Sequence, residues 1–208
     1  MQRSCVKRTA EITMNKRIAV HLGVIAFAVV ALWVSAEAQR REALTVEKVT
    51  NNLWVIIGNG GNVEVMPTND GVLLVDDKFA EDVPDIIAKV KTVSDKPIRC
   101  VLNTHQHVDH TGGNSAMIRA AAEVIIHKNA RVNLVSEKIA GLLPPVTFSD
   151  EMQVFWGCKE VRARYLGRGQ TNGDAVIYFP SDRVLHTGDL FINGSVPYAD
   201  YDAHLHRA

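Results

Sequence analysis

One twelve-residue stretch limits what this chain can build more than any other feature. After the apolar run Ile98 to Leu102 the sequence turns polar and reads Asn103-Thr104-His105-Gln106-His107-Val108-Asp109-His110-Thr111-Gly112-Gly113-Asn114. Three histidines and an aspartate fall within six residues. A short apolar run bounded in this way reads as a buried strand, and strand-end loops are where α/β folds carry reactive groups. Imidazole and carboxylate are ligand types taken by zinc, iron and manganese. His105 and His107 can point to one side of such a loop, with Asp109 and His110 directed at an adjacent position. Two neighbouring metals are the natural reading. The bland alternative is a surface histidine cluster without a role, but such clusters rarely include an aspartate at this offset.

The rest of the pattern has an α/β rhythm. Asn52 to Ile57 and Val63 to Met66 read as strands around a Gly58-Asn59-Gly60-Gly61 turn, and Asn69-Asp70-Gly71 turns the chain into the strand Val72 to Val75. Val83, Ile86, Ile87 and Val90 follow the i, i+3, i+4, i+7 spacing of an amphipathic helix, with Pro84 tolerated in its first turn. A helix from Ser115 to Ala122, a strand from Val124 to Ile126 and a helix from about Asn129 to Ala140 follow, and Leu143-Pro144-Pro145 breaks the run. Val161 to Leu166, Val176 to Phe179 and Val184 to Leu185 read as further strands.

Ahead of this lies a different kind of segment. Lys16 and Arg17 precede the run Ile18 to Val34, and Ala36-Glu37-Ala38 follows it. Basic flank, apolar run and small-x-small site make a signal peptide, residues 1–38, cleaved after Ala38; Met14 is a more natural start for it than Met1. An uncleaved membrane anchor is the alternative. Removing residues 1–38 takes five basic and two acidic residues from the 23 of each, leaving 18 against 21 in residues 39–208. That near-balance excludes the basic surface of a nucleic-acid binder. Two cysteines remain, Cys100 and Cys158, too few for a disulfide scaffold. Export permits a bond between them, although two buried thiols fit their strand-like surroundings better.

His105-x-His107-x-Asp109-His110 resembles the motif of the metallo-β-lactamase fold superfamily, which includes zinc β-lactamases, glyoxalase II, lactonases and phosphodiesterases. The similarity resumes at Leu166-Gly167-Arg168-Gly169-Gln170-Thr171-Asn172-Gly173-Asp174 and at Leu185-His186-Thr187-Gly188-Asp189-Leu190-Phe191, and covers roughly Val46 to Asp200. It implies an αββα sandwich. By the same resemblance His105 and His107 hold a first metal, and Asp109 with His110 a second. Asp189 corresponds to the carboxylate bridging both in glyoxalase-like members; zinc β-lactamases carry other residues there. Water between the two metals would become the nucleophile, with Asp109 the catalytic carboxylate.

The chain departs from that pattern twice. Gln170 stands where the family has a histidine ligand, and an amide oxygen binds zinc more weakly than imidazole does. Ala208 also lies only 19 residues beyond Asp189. The second half of the sandwich is therefore expected to be incomplete, with a second metal weakly held and dimerisation through the uncovered surface. His204 and His206 read as an accidental tail.

Other conspicuous residues read as structural. His127 and His186 are expected to pack or cap, Asp76 and Asp77 to support the metal loop, and Trp54 and Phe79 to line either the core or a cleft. The expectation is a periplasmic or secreted hydrolase with two zinc ions (iron or manganese as alternatives), attacking a small ester, lactone, thioester or amide. A degenerate relative without catalysis and a single-iron oxygenase of the same fold are the competing readings.

Overall fold

A computed structural model describes residues 43–139 and 141–196. The leader of residues 1–38, His204 and His206 lie outside the described residues.

Seven strands form the first sheet in sequence order: β1 (Thr45–Lys48), β2 (Trp54–Ile57), β3 (Val63–Thr68), β4 (Gly71–Val75), β5 (Ile98–Asn103), β6 (Glu123–His127) and β7 (Val146–Phe148). Strands β1 to β4 run antiparallel through hairpins, and β4 to β7 run parallel. Parallel neighbours need crossovers, and three of the four α-helices among the described residues supply them: α1 (Val83–Val90), α3 (Asn114–Arg119) and α4 (Lys128–Ser136). The remaining helix, α2 (Val108–Thr111), is a single turn within the metal loop. An antiparallel second sheet takes the order β11 (Val184–His186), β10 (Ala175–Phe179), β9 (Lys159–Tyr165), β8 (Glu151–Trp156).

The layering follows from the period of two along the strands. In β4, Val72 and Leu74 face the helices, where Val83, Ile86, Val90 and Met117 cover them. Leu73 and Val75, one residue out of step, face the second sheet and meet Val161, Ala163, Ile177 and Phe179. Both faces of β4 are thus buried, which is why it reads as a continuous apolar run. The result is a layered α/β sandwich: the α/β rhythm was in the sequence pattern, and the sandwich was what the resemblance implied.

Several expectations need correction. Strands β1, β7 and β8 were not anticipated. Helix α3 stops at Arg119 rather than Ala122, because Ala121 takes a left-handed φ of 62° that turns the chain into β6. Helix α4 ends at Ser136 rather than near Ala140, with Lys138 left-handed just beyond. Cys100 is buried as expected, but Cys158 sits exposed in the β8–β9 turn at φ 64°, and both thiols are free.

Candidate metal centre

Loops from both sheets meet at the carboxyl ends of β4 and β5, the edge where open α/β sheets place ligands. The segment after β4 brings Asp76, the segment after β5 brings His105 to His110, and the β9–β10 loop brings Gln170. Asp189 arrives on the short turn Gly188–Leu190 that follows β11. Gly188 has φ +54° and lies against Thr104, so only a residue without a side chain lets that turn reach the loop.

All six residues nominated from sequence are gathered here. His105 Nε2 lies 3.0 Å from His107 Nδ1 and 3.6 Å from Asp189 Oδ2. Ligand atoms of His105, His107 and Asp189 fall within 4.8 Å of one another, a three-residue group able to hold a metal. On the other side of Asp189, its Oδ1 is 3.1 Å from His110 Nε2, which is also 3.5 Å from Asp109 Oδ2. Gln170 is buried and donates its amide to Asp189 Oδ2 at 3.0 Å, while its amide oxygen finds no partner.

A hydrogen-bond network sets which ring nitrogens face the centre. Asp76, fully buried, accepts Thr104 N and Thr104 Oγ1 at 2.8 Å each and pairs with His110 Nδ1 at 2.7 Å. Having donated its proton to Asp76, the Thr104 hydroxyl accepts from His105 Nδ1 at 3.0 Å. Both imidazoles therefore carry a proton on Nδ1 and turn Nε2 inward, the tautomer a metal ligand requires. His110 Nε2 is buried and faces two carboxylates, 3.1 Å from Asp189 Oδ1 and 3.5 Å from Asp109 Oδ2. A ring nitrogen and two carboxylates converging in this way suit a cation, whether a proton or a metal.

The electrostatics point the same way. Burial alone would raise the Asp76 carboxyl, but His110 and His186 outweigh it and hold Asp76 well below the usual range. Burial opposes charge on His110 too, yet Asp76, Asp189 and Asp109 hold it at about 10, so in the absence of metal a proton occupies the position. His105 is pushed down to about 3 by burial and by His110. Asp77 is raised by burial and by Asp76; it accepts Gly113 N at 2.9 Å and supports the far end of the loop.

Pattern reading recovered some of the supporting residues and missed others. Asp76 and Asp77 support the loop, as expected. His127 caps α4 through Asn129 N, bonds to Ser149 O and stacks on Tyr165. His186 was read as structural and does pair with Glu64 and Asp76, at 3.6 and 3.7 Å, but it also borders the cleft beside the centre. Thr104, Glu64 and Lys78 carried no individual signal.

The model of the metallo-beta-lactamase superfamily matches residues 56–208. The chain belongs to that superfamily. It is 24% identical over 159 residues to the 2,4-dinitroanisole O-demethylase subunit alpha of Nocardioides sp. (strain JS1661), covering 73% of this chain and 48% of the relative. It is 26% identical over 160 residues to the probable hydroxyacylglutathione hydrolase of Schizosaccharomyces pombe (strain 972 / ATCC 24843), covering 73% and 57%. The chain thus spans about half the length of these two relatives. The crystal structure of the DIM-1 metallo-beta-lactamase superposes with a TM-score of 0.68 at 18% identity over 79% of each chain. The superfamily's metallo-hydrolase fold is therefore present.

Proposed function

We propose that the chain is a metal-dependent hydrolase acting on a small ester, lactone, thioester or amide. The convergence of ligand atoms of His105, His107 and Asp189 within 4.8 Å, with His110 Nε2 buried against Asp189 and Asp109, carries the reading. His105, His107 and Asp189 would hold one zinc ion; His110, Asp109 and the other oxygen of Asp189 a second, with Asp189 between them. Gln170 lies at the rim of the first position, its orphaned amide oxygen a weak ligand. Bound there, the ions would supply Lewis acidity and lower the pKa of water toward neutrality.

The chain's own groups do the remaining work. A cleft of about 510 Å³ opens beside Asp109 and Asp189, with Val55, Phe191 and Ile192 on its apolar walls. These walls would orient the substrate's non-reacting part and keep bulk water out. Asp109, at the cleft, takes the proton of the attacking water as the new C–O bond forms. It returns that proton to the leaving oxygen, sulfur or nitrogen as the scissile bond breaks. Asp76 and Thr104 meanwhile keep both imidazoles in one tautomer.

The relatives carry different reactions on one scaffold, so the fold does not select the substrate. Metal analysis of the purified full chain, followed by a panel of chromogenic esters, lactones, thioesters and amides, tests the reading. Two zinc equivalents and chelator-sensitive turnover are expected. No bound metal would mark a degenerate relative, and full activity in His107→Ala would overturn the assignment.

A second reading draws on the three-residue group itself. Two histidines and one carboxylate with open positions is the ligand set of mononuclear iron oxygenases. One iron per chain with oxygen uptake would favour it over hydrolysis.

Export is part of the proposal, supported by the leader pattern. Mass spectrometry of the protein from its native host should find Gln39 at the N-terminus; retention of residues 18–34 would count against it.

A further inference from the structure

Lys78 is fully buried. Lysine reaches such a position only when its ammonium is satisfied, and here one loop supplies three backbone acceptors. Nζ donates to the carbonyl oxygens of Asn59, at 2.8 Å, of Gly61, and more distantly of Gly58. The loop joining β2 to β3 is thus gathered around a cation planted just after β4. The backbone of Lys78 adopts φ +55°, a left-handed conformation uncommon for a side chain of this size. Its carbonyl accepts Gly113 N at 3.3 Å, tying the same residue to the end of the metal loop.

What the clamp accomplishes appears at Gly61. Its N–H donates to Asp109 Oδ2 at 3.0 Å, the carboxylate oxygen that also faces His110. Gly60, at φ +76°, passes so close to Asp109 that a Cβ there would come within 2.8 Å of the Asp109 Cβ. An aspartate on a one-turn helix has few other groups to fix its rotamer.

We infer that Lys78 is the positioning residue for Asp109. By holding three carbonyls of the β2–β3 loop, it aims the Gly61 amide at Asp109 Oδ2 and so fixes the carboxylate oxygen that faces His110. The inference rests on the reading that Asp109 serves a metal site, and the experiment separates the two.

The full chain and its Lys78→Met, Lys78→Gln and Asp109→Asn variants are titrated with Co²⁺ alone, following visible absorption, with folding checked by thermal melts. Supporting-residue losses weaken metal sites about 10- to 100-fold. Lys78→Met should weaken the Co²⁺ equivalent that Asp109→Asn weakens by about that factor, and leave the remaining binding unchanged. Lys78→Gln, which keeps two N–H donors, should fall between. In an Asp109→Asn background Lys78→Met should add nothing, whereas general damage to the fold would add its effect. If Asp109→Asn weakens Co²⁺ while folded Lys78→Met or Lys78→Gln binds as wild type, the inference is overturned and the functional reading stands. If Lys78→Met does not fold, Lys78→Gln alone decides. If Asp109→Asn changes nothing, the reading of Asp109 fails and the inference fails with it.

Discussion

Asp76 Oδ2 lies 2.7 Å from His110 Nδ1 and accepts the Thr104 hydroxyl as well, so one buried carboxylate orders two imidazoles. His110 is held directly and His105 through Thr104. Asp76 itself has φ +62°, a backbone state an aspartate tolerates better than most residues.

Asp76→Asn should therefore disturb both sides of the centre at once. Its amide cannot accept on both atoms as the carboxylate does, and the loss of charge removes the pull on Nδ1. Metal affinity should fall about 10- to 100-fold, measured by competition with a chromophoric chelator. Thr104→Val removes the link to His105 and one donor to Asp76 but leaves the direct Asp76–His110 pair, and should cost less. Equal affinities in both variants and wild type would refute the relay.

The metal-free chain should lose stability as pH rises above 6.5. On the acid side two groups oppose each other: His105, held down at about 3, contributes stability that rises with pH between 3 and 6.5, while Asp77, raised by burial and by Asp76, contributes stability that falls. His110 is held up at about 10, and His186, paired against burial with Asp76 and Glu64, at about 9. Their contribution is complete below 6.5 and is lost as pH rises toward 9–10. Melts in excess chelator check this; a melting temperature still rising at pH 9 would contradict it. Metal should remove much of the alkaline loss, since it replaces the proton on His110.

Gln170→His should tighten zinc. The glutamine reaches the centre already, 3.0 Å from Asp189, but presents an amide N–H to a carboxylate that could otherwise face metal. An imidazole offers a nitrogen lone pair instead. An unchanged affinity would mean that residue 170 cannot reach the ion.

The two described cysteines should differ sharply toward thiol reagents. Burial, with the Glu123 charge nearby, pushes the Cys100 thiol up to about 12, so it is both inaccessible and protonated. Cys158 is exposed in its turn. Cys158→Ser should remove one rapidly titrating equivalent from the native protein, and Cys100→Ser none. Rapid modification of Cys100 would show that the inter-sheet core opens.

The sequence alone determined the strands that are apolar enough to be buried on one or both faces and the loop that opens from β5. Burial imposes a period that can be read directly, and three histidines with an aspartate have few other uses. It did not reveal β1, a polar edge strand, β7, only three residues long, or β8, whose residues alternate between exposed and half-buried. Where α3 and α4 stop was decided by left-handed residues that no propensity favours at Ala121 and Lys138. The membership of the centre was largely legible; its organisation was not. Asp189 reaches His105 only because the second sheet folds over the first, and the inward tautomers depend on an aspartate 28 residues before Thr104. Lys78 shows the limit most clearly. Any pattern reading places a lysine in solvent, whereas the fold brings three backbone carbonyls to its buried ammonium.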